Sequence, residues 1–434
     1  FRLTNQYQKI CGSMTAEWNG EHIPLDMLNP YMESPDRDVR EAAWRKYYQP
    51  YIDHRDEFAD IFDRLLQLRQ QVAHNAGFAN YRDYMFAELH RYDYTPDDAL
   101  GFHRGIEEAF MPLVARLREE RRETMGVDTL RPWDLGGDPY GRPPLTPFAT
   151  TDELIETSQR VLGRVAPVFG DRLYEMRESG LLDLDARVGK HPGGYCTWFA
   201  WSRQPFIFMN ASGVQYDVAT LLHEAGHCMH VYECEKLPFY FEHRHGQEIA
   251  EVASIAMQLM TSGFLDVDAG GFYTPEDAAR ARHEQLVDET SALGHVAAVD
   301  AFQHWLYTDP AAADRDARDE CWSGIMRRFA PVVDYSGLED FRRARWYVTL
   351  HIFEVPFYFI EYGIAWLGAL QIWKRFLEDP DTAIEGYRKA LALGGSRPLA
   401  ELYETAGIRM VFDTGTMQEL ARFTRDQILS TREG

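Results

Sequence analysis

The segment LLHEAGHCMH at residues 221–230 places His223 and His227 four apart, with Glu224 between them. On a helix that spacing stacks both imidazoles on one face, about one turn apart. Two imidazoles so placed can ligate one zinc ion, and the intervening carboxylate can reach a metal-bound water as general base. Three fixed letters also arise by chance, and the histidines would then be ordinary core residues. At roughly 100° per residue, Val218, Leu221, Leu222, Ala225 and Met229 fall on one side of the helix. His223, His227 and His230 fall roughly opposite, with Glu224 at the flank. The helix is therefore expected to bury one face and present histidines to a cleft.

A zinc hydrolase needs a third protein ligand and an open coordination position. The segment GQEIAEVASIAMQLM offers Glu251, 24 residues after His227, and Glu248 one turn earlier. Spacing alone leaves both open. Further on, an aromatic stretch contains His351, Tyr358 and Tyr362. An imidazole or phenol there can stabilise an oxyanion, although tyrosine stripes are more often core. The spacing of four lets Tyr358 and Tyr362 share one helical face. PFIFMN, residues 205–210, precedes the histidine helix, and an edge strand there could hold an extended peptide by its backbone. Cys228 lies at a different helical angle from the histidines and reads as packing.

The elements that must position these groups are mostly helical. Ser34-Pro35-Asp36 reads as a helix start, with Ser as cap and Pro at the first position. Pro50 is expected to break or kink the helix that follows. Thr95 and Asp98 have capping-box spacing ahead of a long helix to about Glu123. Residues 130–150 are dense in Gly and Pro and mark a loop or boundary. That divides the chain into a helical part, 1–135, and a catalytic region, 136–434. The latter holds a small sheet at about 193–210, the His-Glu-His helix at about 218–231 and C-terminal helices. LLDLDAR at 181–187 is ambiguous. Residues 348–373 are apolar and long enough to span a bilayer, but His351, Glu354, Pro356 and Glu361 favour a buried helix.

The chain has 434 residues and a formal net charge of −23, so nucleic acid and anionic membranes are poor partners. Its five cysteines are few and irregular, which fits a reducing compartment and not a disulfide scaffold. The first residues contain no secretory signal pattern. A cytoplasmic location is expected.

On these residues the sequence resembles the M3 family of zinc metallopeptidases, in the oligoendopeptidase F and Pz-peptidase branch related to thimet oligopeptidase. His223, Glu224, Gly226, His227 and His230 match an HExGHxxH pattern, and Glu251-Val252-Ala253-Ser254 matches the segment that opens on the third zinc ligand. His351 with Pro356-Phe357-Tyr358 and then Tyr362 matches a further family segment. DRDVREAAW, PWD at 132–134, FQHWLY at 302–307 and LALGGS at 391–396 are also similar. The resemblance implies a mainly α, neurolysin-like two-lobed metallopeptidase with a deep channel and a small β-sheet near the zinc site. It selects Glu251 over Glu248 and implies that a family N-terminal helical region is missing from the sequence.

The implied activity is endopeptidase cleavage of short unstructured peptides with one Zn2+ per chain. Glu224 would be the base, and His351 with Tyr358 or Tyr362 would stabilise the oxyanion. His230 is expected to orient a ligand or touch substrate. Gln258 stands where the related segment commonly has Glu, and is expected to orient a ligand and tune activity. A metallocarboxypeptidase and a catalytically silent peptide-binding protein are the alternatives.

Overall fold

The computed structural model describes residues 1–187, 190 and 193–432. Two compact units are each built from two stretches of chain: Phe1–Pro143 with Thr290–Ile360, and Pro144–Glu289 with Glu361–Gly434. The fold is mainly helical. Along the chain, the elements used below are a hairpin of β1 (Thr15–Trp18) and β2 (Glu21–Pro24), then helices α1 (Arg37–Asp53), α2 (Arg55–Asn75), α3 (Pro96–Gly105) and α4 (Met111–Met125). Next come strands β3 (Leu182–Asp185), β4 (Tyr195–Phe199) and β5 (Gln204–Ala211). Helices α5 (Gln215–Glu233), α6 (Gln247–Thr261), α7 (Pro275–Thr308) and α8 (Ile360–Glu378) follow.

The first unit centres on aromatic packing. Trp44, Trp133 and Leu338 are buried together, flanked by Tyr48, Tyr335 and Phe341. Asp134 is fully buried beneath them and is gripped by Arg37 Nε at 2.8 Å, Arg37 Nη2 at 2.7 Å and the Arg131 amide at 2.9 Å. The cap of α1 is Asp36, whose side chain accepts from the Asp38 amide, and not the expected Ser34. Ser34 instead accepts from the Asp36 amide two residues on, just outside the helix. Pro50 is accommodated inside the last turn of α1, which ends three residues later. The Thr95–Asp98 capping box forms as expected. Its helix runs on through a π turn at Ile106–Phe110 into α4.

The second unit contains a three-stranded sheet in the order β3-β5-β4. The expected small sheet is present, with β4 and β5 paired antiparallel, but residues 205–210 lie in the central strand β5 and not at the edge expected of them. The ambiguous 181–187 segment supplies β3, parallel to β5. The stretch 348–373 is not one helix. It begins at the end of the turn Arg345–Val348, continues through the short helix Leu350–Glu354 and enters α8 at Ile360. Among the described residues no helix is long and apolar enough to cross a membrane.

Candidate metal centre

The histidine helix α5 is anchored at its start. Asp217 Oδ2 accepts the backbone amides of Ser212, Gly213 and Val214 at 2.7, 2.9 and 3.0 Å, tying the end of β5 to the first turn of α5. Its apolar face, with Val218, Leu221, Leu222, Ala225 and Met229, is buried as the periodicity requires. Helix α6 packs on it backbone to backbone. A Cβ at Gly226 would lie 2.5 Å from Ser254 Cα and 2.6 Å from the Ala253 carbonyl oxygen, so only glycine permits the approach.

That approach brings the ligand atoms together. Glu251 Oε2 lies 3.3 Å from His223 Nε2 and 3.8 Å from His227 Nε2. The two imidazole rings are 5.1 Å apart at 80°. A tetrahedral ion with bonds near 2.0–2.1 Å has ligand atoms about 3.3 Å apart. Two imidazoles and one carboxylate suit zinc and leave one position open. The residues present therefore fit the ion. Glu248 is buried on the same helix but is not part of this cluster.

Each group is held from behind. The Ser254 hydroxyl donates to Glu251 Oε2 at 3.2 Å. Gln258 Oε1 is 3.3 Å from His223 Nδ1, while the Gln258 amide nitrogen donates to Glu289 Oε1 at 2.9 Å. Glu289 also accepts from Gln285 at 3.1 Å and from Trp366 Nε1 at 3.1 Å. With three N–H donors on that carboxylate, the Gln258 carbonyl is the end left for His223. Nδ1 then bears the proton and Nε2 is free for a metal.

The electrostatics follow the same layout. Burial pushes the Glu224 carboxyl above its ordinary range, with the Glu251 charge adding to it and His223 opposing. A backbone hydrogen bond from Cys196 on β4 holds this carboxyl, so the sheet touches the proposed base directly. Burial works against protonation of His223, but its hydrogen bond to Glu251 raises it on balance. His227, penalised by burial and by His223, is lowered to about 3. Glu251 is held below its usual range despite burial, by its bond to His223 and the charge of His227.

His230 is 1% exposed and stacks on His245, with centroids 3.8 Å apart. Neither of its ring nitrogens has a hydrogen-bond partner among the described residues. Cys228 is buried, with its sulfur 3.5 Å from Cys196 Sγ, as packing. In the other unit the His351 ring stacks on Tyr358 at 5.9 Å and meets Phe359 edge-on at 4.7 Å. Tyr358 precedes α8 and Tyr362 lies in its first turn, so the spacing of four does not put them on one helical face. Sequence reasoning missed Glu289, the Cys196 amide and His245. His245 was signalled by the histidine-rich run His243-Arg244-His245 just before α6, and the other two by nothing local.

With this geometry in view, the comparisons with known proteins agree closely. A family model described as peptidase family M3 matches residues 30–422. The structure of a Pz peptidase A with an inhibitor superposes with a TM-score of 0.88 at 32% identity, covering 99% of this chain and 75% of that one. An oligoendopeptidase F homologue from Borreliella burgdorferi is 22% identical over 422 residues, which is 92% of this chain and 68% of the relative. The fold of an oligoendopeptidase-F from Enterococcus faecium matches with a TM-score of 0.69 at 17% identity, over 100% of this chain and 71% of that one.

Proposed function

The chain belongs to peptidase family M3, and from that premise we propose that it is a zinc-dependent endopeptidase acting on internal bonds of short, unstructured peptides. The observation that supports this most directly is the convergence of His223 Nε2, His227 Nε2 and Glu251 Oε2, with Glu224 on the same helix. Those three atoms would hold one zinc ion per chain. When bound, the ion supplies Lewis acidity that polarises the scissile carbonyl and makes water in its open position easier to deprotonate. Glu224 takes the proton of the attacking water and passes it to the leaving amine. Its raised proton affinity suits both halves of that transfer. Gln258 fixes the ring of His223, and Ser254 fixes the carboxylate of Glu251.

His351 and Tyr358 or Tyr362 are the groups proposed to donate to the oxyanion. Each such donor contributes on the order of 2–4 kcal/mol to the transition state. His230, sealed against His245, is proposed to support the ligand helix and not to touch substrate.

The test pairs zinc content with hydrolysis of a quenched-fluorescence peptide blocked at both ends. The wild type should bind zinc and cut internally. Glu224→Gln should keep zinc and lose cleavage, and Glu251→Ala should lose zinc affinity. Wild-type turnover by Glu224→Gln would remove the proposed base. Failure of the zinc-loaded wild type to cut any internal bond would sink the endopeptidase reading.

A further inference from the structure

The first unit contains a second cluster of metal-ligating chemistry. His103 on α3 and Asp300 and His304 on α7 are 4%, 0% and 4% exposed. His103 Nε2 is hydrogen-bonded to Asp300 Oδ2 at 2.7 Å, a bond that metal binding would replace with loss of the shared proton, and His304 Nε2 is 3.3 Å from the same oxygen. The imidazole rings stand at 89° with centroids 5.4 Å apart. Asp300 and His304 are one helical turn apart, so α7 presents both to α3 from a single face.

A carboxylate buried this deeply must be neutralised or it is costly. Among the described residues no Lys or Arg reaches Asp300, and its ion-pair partners are the two imidazoles. Its Oδ1 has no hydrogen-bond donor, and both ring nitrogens of His304 lack hydrogen-bond partners. Three unsatisfied polar atoms in one buried pocket are unusual in a well-packed core. Phe86 and Phe357 pack edge-on against the His304 ring, which keeps the cluster dry.

We propose that His103, Asp300 and His304 form a second, structural zinc site in the first unit. Two imidazole nitrogens and the two oxygens of one carboxylate supply four donor atoms of the types zinc prefers. The ion would satisfy the stranded Asp300 oxygen and His304 Nε2 together and clamp α7 to α3. The clamp reaches the segment before Tyr358. Phe357 is fully buried in a left-handed conformation with φ of 67°, its amide bound by Gln303 Oε1 at 2.8 Å, and Gln303 adjoins His304.

The experiment uses the full chain with zinc alone as probe. In His223→Ala/His227→Ala protein, elemental analysis after equilibration with zinc should find one ion per chain, against two in the wild type. Adding Asp300→Asn to that background should remove it. Zinc should also raise the thermal midpoint of the His223→Ala/His227→Ala protein by several degrees, which keeps the test valid if Asp300→Asn does not fold. A His223→Ala/His227→Ala protein that holds no zinc and shows no midpoint shift overturns the second site and shows the triad to be a hydrogen-bonded core network. A wild type with a single ion that survives loss of both His223 and His227 would instead overturn the proposed catalytic centre and leave this site standing.

Discussion

Gln258 faces His223 with its carbonyl and Glu289 with its amide, so a neutral side chain relays between an imidazole and a buried carboxylate. Groups that orient a ligating histidine typically change metal affinity 10–100-fold when removed. Gln258→Leu should therefore weaken zinc binding by about 10–100-fold, read by competition with a chelator of known affinity. Gln258→Glu should also weaken it, because the new carboxylate would stand against Glu289 at hydrogen-bond distance. Gln258→Glu with Glu289→Gln should recover affinity. If Gln258→Glu alone binds zinc as tightly as the wild type, Glu289 does not set the polarity of the relay.

Gly226 should tolerate no side chain. The atoms a Cβ would meet are backbone atoms of Ala253 and Ser254, which cannot swing aside. Gly226→Ala should cost about 1–3 kcal/mol, the usual range for overpacking a core, and should lower zinc affinity by pushing Glu251 away. Gly163, inside the helix Thr151–Val165 with nothing within 4 Å of an added Cβ, is the control. Gly163→Ala should stabilise by about 0.5–1 kcal/mol. Urea unfolding of both variants checks the pair, and equal behaviour would refute the close approach as the cause.

Asp134 should make stability depend on pH. Burial alone would raise its carboxyl, but the Arg37 bonds, the Arg131 amide and the Arg40 charge hold it below the ordinary value. A depressed folded-state value stabilises above the unfolded value of about 3.9, and that contribution disappears as pH falls through the folded value. Asp134→Asn should cost about 3 kcal/mol at neutral pH, where it leaves buried Arg40 without its ion-pair partner. The gap to the wild type should close in acid. Unfolding midpoints across an acidic pH series would show this, and a gap independent of pH would mean the charge is not its source.

Trp201, at the tip of the β4–β5 hairpin, is fully exposed, with Tyr195 and Phe199 on β4 also about half exposed. β4 is the outer strand of its sheet among the described residues. An aromatic row beside such an edge suits an extended peptide. Trp201→Ala should raise KM several-fold with kcat and zinc content unchanged. An unchanged KM across peptides of different length would separate Trp201 from substrate binding.

What could be read from the sequence was what lies within one element. His223, Glu224 and His227 are neighbours on one helix, so their spacing alone suggested their convergence, and the resemblance to a family then selected Glu251. The Thr95–Asp98 cap was equally local. Gln258 was picked out by a departure from the family pattern, but Glu289 was not, because its role depends on how α6, α7 and α8 pack. The segment 348–373 looked like one helix because its composition is predominantly apolar. It is interrupted at Thr349 and again at residues 355–359, where Pro356 is followed by the left-handed Phe357, whose amide donates to Gln303 from elsewhere in the chain. The 181–187 segment became a strand only because β5 offered it an edge.

The alternation of the chain between its two units sets an order for its birth. Residues 144–289, with both histidines and Glu251, leave the ribosome before Thr290–Ile360 have completed the first unit. Synthesis is vectorial and domains tend to fold as they emerge. The proposed zinc ligands are thus made while Phe1–Pro143 still waits for Asp300, His304 and the side chains of Tyr335, Leu338 and Phe341 that complete its aromatic cluster. A chain stalled between residues 289 and 360 would bear all three residues of the proposed metal triad on an unfinished scaffold. Nascent-chain protection from proteolysis should therefore rise in two late steps, after residue 360 and again toward the C-terminal helices.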